Sequence, residues 1–154
     1  MQTGVNRSVH ISVQDQRLTI KEGETAIRNY PISTSRFGLG SEEGSLKTPL
    51  GQFRIGQKIG HNSLPGTVFK DRTPIDKTDA PLSDDDLITS RILWLEGIED
   101  HNANTRDRYI YIHGTNHEDE IGEPASRGCI RMTNADVIEL FDLVEEQTPV
   151  FIEA

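Results

Sequence analysis

The stretch "IYIHGTNHEDEIGEPASRGCIRM", residues 110–132, holds the one cysteine of the chain, Cys129, and two of its five histidines. In "RYIYIHG" the residues alternate as a strand does, which predicts Tyr109, Tyr111 and His113 on one side and Ile110 and Ile112 on the other. The isoleucines read as core; the tyrosines and His113 read as lining something polar. Gly114 ends that strand, and the loop "TNHEDEIGEPA" leads to "SRGC", where Gly128 permits a conformation or a close approach that a side chain would block. A cysteine just after such a glycine can offer both its sulfur and its own N–H to a bound carbonyl. A free thiol titrates near about 8.5, so little of it is thiolate at neutral pH unless a base or cation assists. His113 is the candidate base, and its ring needs a partner to fix the tautomer.

Three readings of Cys129 compete. A small buried hydrophobe has no need of the preceding glycine, of the arginines at 127 and 131, or of a histidine ending a strand upstream. A zinc ligand would join His113 and His117 with one position open, but those i, i+4 histidines straddle a glycine and a polar loop, not a helix face. A nucleophile fits the context best. His10, His61 and His101 have no partner pattern and read as surface or loop residues, and Trp94 reads as core.

Outward from this stretch, periodicity predicts strands on both sides. "VHISV" puts Val9, Ile11 and Val13 on one face, and "RLTI" and "TAIRNYPIS" follow across the turn-like "QDQ" and "KEGE", so the chain opens as a β-meander. Glycines, serines and a proline interrupt "SRFGLGSEEGSLKTPLGQFRIGQKIG" into strand, loop and strand. Residues 60–90 are polar, with Pro65, Pro74, Pro81 and the acidic run Asp84 to Asp86, and are expected to form an insertion loop or a flap over a cleft. "ITSRILWLEG" and "RYIYIHG" read as two core strands. Thr133 as N-cap, Asp136 three residues on, and Val137, Ile138, Phe141 and Val144 at helical spacing predict a helix over 134–146. "TPVFIEA" reads as a closing strand. The sum is one mainly β domain of 154 residues with one clear α-helix near its C-terminus.

Composition narrows the function. A formal net charge of −9 argues against a phosphate-backbone partner, so no nucleic acid is expected. No apolar run approaches the roughly 18 residues of a membrane span, and no membrane partner is expected. The opening residues show no apolar signal segment, and a single cysteine forms no internal disulfide. A cytoplasmic location is expected on that reading, and a periplasmic one if a leader has been removed.

The ordered set "TPLGQF", "IHGT", a spacer with "IG", and "SRGCIRM" resembles the L,D-transpeptidase (YkuD) catalytic domain family. The likeness extends to "RLTIKEGETAIRNYPIST" as the opening hairpin and to "TNADVIELFDLVEEQTPVFI" as the family's helix and final strand. Arg127 departs from the histidine that many members carry between Ser126 and Gly128, and this leaves His113, which matches the family's base, in place. The resemblance implies a YkuD-like β-sandwich and a cysteine acyl-transfer enzyme, without cofactor or metal, acting on peptidoglycan stem peptides or muropeptides. Cys129 would attack the L-centre carbonyl of diaminopimelate or lysine in a tetrapeptide stem, expel D-alanine and form a thioester. His113 would move the proton while the Gly114 carbonyl orients its ring. The oxyanion would rest on N–H groups around Gly128 and Cys129, with Tyr111 as a further candidate. Arg131 and Arg127 either meet substrate carboxylates or, for Arg131, brace the loop internally. Ser126 is expected to fix the loop through its hydroxyl. If water takes the acyl group the enzyme is an L,D-carboxypeptidase of peptidoglycan recycling, the reading favoured here. If an amine takes it, the enzyme is an L,D-transpeptidase. A zinc hydrolase and an inactive peptidoglycan-binding module are the readings from other classes.

Overall fold

The structure, a computed structural model, describes residues 6–76 and 87–154. Pro81 and the acidic run Asp84–Asp86 lie outside them. The chain opens as the expected meander: β1 (Arg7–Ser12), β2 (Arg17–Glu22) and β3 (Thr25–Pro31) pair antiparallel. Gln16 and Gly23 take positive φ at the two turns. Val9, Ile11, Leu18 and Ile20 face the core and are fully buried.

The last strand, β10 (Pro149–Glu153), lies parallel to β1, with Val9 opposite Val150 and Ile11 opposite Ile152. Its other edge takes β4 (Gly51–Ile59) antiparallel, and β4 in turn pairs with β7 (Ile88–Gly97). The sheet branches at β7. One edge carries β5 (Val68–Lys70), which forms a hairpin with β6 (Thr73–Ile75); the other carries β8 (Tyr111–Thr115), which pairs parallel with β9 (Ile130–Met132). The expected insertion at 60–90 therefore contains a hairpin and the start of a core strand.

Alternation along β7 divides the interior. Leu93 and Leu95 enter the main core, with side chains from β1, β2, β4, β8, β9, β10 and the helix α1 (Asn134–Leu143). Ile92 and Trp94 point the other way, into a smaller cluster with Phe69 and Tyr111, against which Cys129 packs. On β8 and beside β9 the same alternation puts Ile112 and Ile130 in the main core and Tyr111 and Cys129 on the far face. The site thus lies on the face that the main core does not use. The mainly β fold, with a single α-helix among the described residues, is what the sequence leads one to expect.

Two boundaries differ from expectation. The helix ends at Leu143, three residues early, and Val144 is extended (φ −124°, ψ 163°). Its first turn is capped as predicted by Thr133, which accepts from the Asp136 N–H at 3.1 Å. At the other end the free carbonyls are taken by distant cations: Lys58 Nζ donates to Phe141 and Val144, and Arg7 donates to Leu143. Glu145 and Glu146 follow, a charge that the negative end of a helix dipole disfavours. The strand through "RYIYIHG" begins at Tyr111 and not at residue 108. Tyr109 has φ +57° and is half exposed, because residues 102–109 wind through turns that end with its N–H on the Arg106 carbonyl.

The connection from β7 to β8 is clamped at Gly97. A Cβ there would overlap the backbone carbonyl of Asn102, whose fully buried side chain donates to the carbonyls of Leu50 and Gln52. Gly97→Ala must push that turn off the sheet, and a loss of about 3 kcal/mol is expected from overpacking against backbone. A urea midpoint equal to that of the parent would show that the turn yields freely.

Candidate active site

Parallel register brings the candidate residues together. His113 lies opposite Arg131 and Ile112 opposite Ile130, so Cys129, one residue before β9, comes beside Tyr111 on the face that Tyr111 and His113 share. The contacts agree: the Tyr111 N–H donates to Cys129 Sγ at 3.3 Å, and the thiol donates to the Tyr109 carbonyl at 3.4 Å. The wall around the sulfur is aromatic, with Tyr111 in it as expected and Phe69 and Trp94 beside it. Trp94 meets Tyr111 edge-on at 5.6 Å and Tyr109 at 5.9 Å. Burial pushes the Tyr111 phenol above its ordinary range, and its hydrogen bond from Arg72 opposes that shift.

The loop before β9 has a fixed shape. Gly128 has φ +124°, which a side chain would rarely adopt. Ser126 Oγ donates to the Cys129 carbonyl at 2.6 Å and accepts from the Gly128 N–H at 3.2 Å, while Thr48 donates to the Gly128 carbonyl at 3.0 Å. The hydroxyl of Ser126 thus holds the loop, and the Gly128 N–H is turned toward it. Arg127 is exposed. Arg131 is buried, and its guanidinium donates to Glu120 Oε1 at 2.7 Å, so it ties β9 to the loop that precedes it. Of the two roles left open for Arg131, this contact supports the internal brace.

His113 is buried, and its Nδ1 lies 2.5 Å from the carbonyl of Gly114. A carbonyl only accepts, so Nδ1 carries a proton, and the ring in its neutral form then has its lone pair on Nε2. Gly114 is tightly enclosed: a Cβ there would sit 2.6 Å from the Thr89 carbonyl and 2.9 Å from Asn134 Oδ1. Opposite this pair, β7 shifts register between Thr89 and Ile92, with Ser90 at φ +67°. The bulge turns the hydroxyls of Thr89 and Ser90 onto Asn134 Oδ1, both at 2.5 Å. Asn134 Nδ2 also donates to the Thr115 carbonyl at 3.2 Å and to Glu118 at 2.9 Å.

Asn134 is a residue that sequence reasoning missed, because nothing local marks it beyond its place after the helix cap. Asn134→Ala strands two hydroxyls and a carbonyl near the imidazole, and should lower unfolding free energy by about 2 kcal/mol. An unchanged denaturation midpoint would refute that role. Arg108 and Arg72 were missed too. Arg108 donates to the Lys47 carbonyl at 2.7 Å and fixes the 40–47 segment. Burial lowers its pKa, opposed by attraction to Glu42 and to the Cys129 sulfur. Among the described residues no group of His, Cys, Asp and Glu gathers to hold a metal ion, and His113, His117 and Cys129 form none. His10 stacks on Phe151 within the sheet, His61 on Phe141, and His101 bonds the Leu50 carbonyl.

Comparison with known proteins agrees with this geometry. The family description "L,D-transpeptidase catalytic domain" (YkuD) matches residues 6–152. The putative L,D-transpeptidases YkuD of Bacillus licheniformis and of Bacillus subtilis are each 28% identical over 144 residues, which is 94% of this chain and 64% of theirs. The chain therefore spans less than two thirds of the length of these curated relatives. L,D-transpeptidase 3 from Mycobacterium tuberculosis, solved with a faropenem-derived adduct, superposes with a TM-score of 0.64 at 16% identity, covering 99% of this chain and 62% of that one. At that identity the likeness is one of fold. The family match over nearly the whole chain, with the His113 motif on β8 and the Cys129 motif leading into the parallel strand beside it, makes this protein a member of the L,D-transpeptidase catalytic domain family of cysteine enzymes.

Proposed function

We propose that this chain cleaves the bond between the L-centre of diaminopimelate, or of lysine, and the terminal D-alanine of peptidoglycan tetrapeptide stems through a thioester on Cys129. The observation that carries the reading is the His113 tautomer: with Nδ1–H on the Gly114 carbonyl, Nε2 is the basic nitrogen. In this reading Nε2 takes the thiol proton as Sγ adds to the carbonyl carbon. The oxyanion is assigned to the N–H of Cys129. Tyr111 acts at the sulfur through its N–H, and the Gly128 N–H serves the loop through Ser126. Collapse expels D-alanine, whose amine takes the proton back from Nε2 and leaves the acyl group on sulfur. The carbonyl of Gly114 has the orienting part that an aspartate plays in other triads.

Water is proposed as the acceptor, giving an L,D-carboxypeptidase of peptidoglycan recycling in the cytoplasm. The relatives' names favour the second reading, in which an amine of another stem or a D-amino acid attacks and the enzyme works in the periplasm or wall. Mass spectrometry of the protein with the tetrapeptide L-Ala-D-Glu-diaminopimelate-D-Ala, with and without an acceptor amine, separates them. Tripeptide formed in water alone supports the carboxypeptidase, and exchanged or cross-linked product supports the transpeptidase. Activity lost to a chelator and spared by a thiol alkylator would instead point to a zinc hydrolase. Binding of stem peptide with no mass shift on Cys129 would mark an inactive binding module.

A further inference from the structure

Arg72 stands in the two-residue turn between β5 and β6, where Asp71 and Arg72 both have positive φ, 49° and 66°. Such a turn ordinarily favours Asn-Gly, and here neither residue is glycine. The turn lays the Arg72 guanidinium 4.8 Å over the Trp94 ring and 5.2 Å from the Tyr109 ring, and Nη1 donates to the Tyr111 hydroxyl at 3.0 Å. Two of these partners also hold the reacting sulfur, Tyr109 through its carbonyl and Tyr111 through its N–H.

None of the three is an anion. Among the described residues no carboxylate forms an ion pair with Arg72, although acidic side chains outnumber Lys and Arg by 25 to 16 in this chain. A guanidinium has five N–H donors in a planar fork, and the phenol uses one. Stacked on two rings and tethered by one bond, it has no carboxylate partner among the described residues and rests on two residues that touch the sulfur.

We propose that Arg72 is the substrate-carboxylate anchor of this cleft, gripping a carboxylate of the stem peptide next to the scissile carbonyl. The proposal rests on the function given above. Nearest the scissile bond, a diaminopimelate stem offers the carboxylate of the departing D-alanine and the D-centre carboxylate, with the D-Glu carboxylate farther along the peptide. The shared chemistry is a carboxylate within reach of a fixed guanidinium, and Arg suits it through bidentate geometry. The β5–β6 hairpin thereby acts as a specificity element.

The test measures release of the terminal residue, as D-alanine or D-alaninamide, by the parent enzyme, Arg72→Gln, Arg72→Ala and Arg72→Lys. Three substrates are used: the free tetrapeptide, the peptide amidated at D-alanine, and the peptide amidated at the D-centre. The parent is expected to favour the free acid over one of the amides by about tenfold or more in kcat/KM, the size of a charge-assisted hydrogen bond. Arg72→Gln and Arg72→Ala should erase that preference, with Arg72→Lys keeping part of it. The amide whose gap closes identifies the carboxylate. Equal loss on all three peptides would overturn the proposal, since a residue that only packs the hairpin has no reason to discriminate among them. So would variants that keep the full preference. A parent enzyme that turns over none of the peptides defeats the function itself, and this proposal with it.

Discussion

Cys129→Ala is expected to release no D-alanine above background, a fall on the order of 10⁵-fold or more, while folding as the parent does. Covalent catalysis requires a nucleophile, and Cys129 is the chain's one thiol. The expected cost to stability is small. The sulfur packs against the smaller cluster, away from the main core, and its two backbone partners are weak sulfur contacts at 3.3 and 3.4 Å. Removing one such atom should cost under about 1 kcal/mol. The check is residual D-alanine release together with near-ultraviolet circular dichroism of the same sample. A folded variant with undiminished turnover would end the nucleophile assignment.

His113→Gln should slow acylation by about 10²- to 10⁴-fold, the usual worth of a positioned base. A second signature separates loss of the base from loss of the fold. Without Nε2, the thiol must ionise by itself, so the variant's acylation rate should climb with pH until the thiol's own pKa, near about 8.5 for a free cysteine. Thiolate grows as pH rises, so activity is regained on the alkaline side. Stopped-flow acylation from pH 6 to pH 10 reads this directly. Parent rates at neutral pH in the variant would mean that another group accepts the proton.

Whatever the sequence encodes locally was legible in it. The strands around Cys129 follow from period-two alternation and the helix start from Thr133, and "SRGC" and "IHGT" marked the candidate nucleophile and base that the fold brings onto one face. Legibility stopped where a contact spans the chain. Lys58 ends the helix from 83 residues away, and no pattern in "LVEE" announces it. Tyr109 looked like a strand residue because it continues an alternation, but the turn behind it forces a left-handed backbone. Asn134 and Arg72 matter through partners 45 and 39 residues distant, so their neighbours in sequence give no hint. The resemblance pointed to the residues proposed to act on substrate; the bulge at Ser90 and the enclosure of Gly114, which pack around His113's carbonyl partner, needed three dimensions.

The position of β10 bears on the order in which the protein assembles during synthesis. In the strand order it stands between β1 and β4, two elements made far earlier. Until residues 149–153 emerge, the meander and the β4–β7 half of the sheet each present an unpaired edge, the kind of surface that recruits other chains. Cys129 and His113 are by then already synthesised, so the machinery for chemistry precedes the strand that closes the sheet holding it. Loss of those few residues would therefore remove a central plank and not a fringe, and nascent chains stalled just short of it should depend on chaperones to stay soluble.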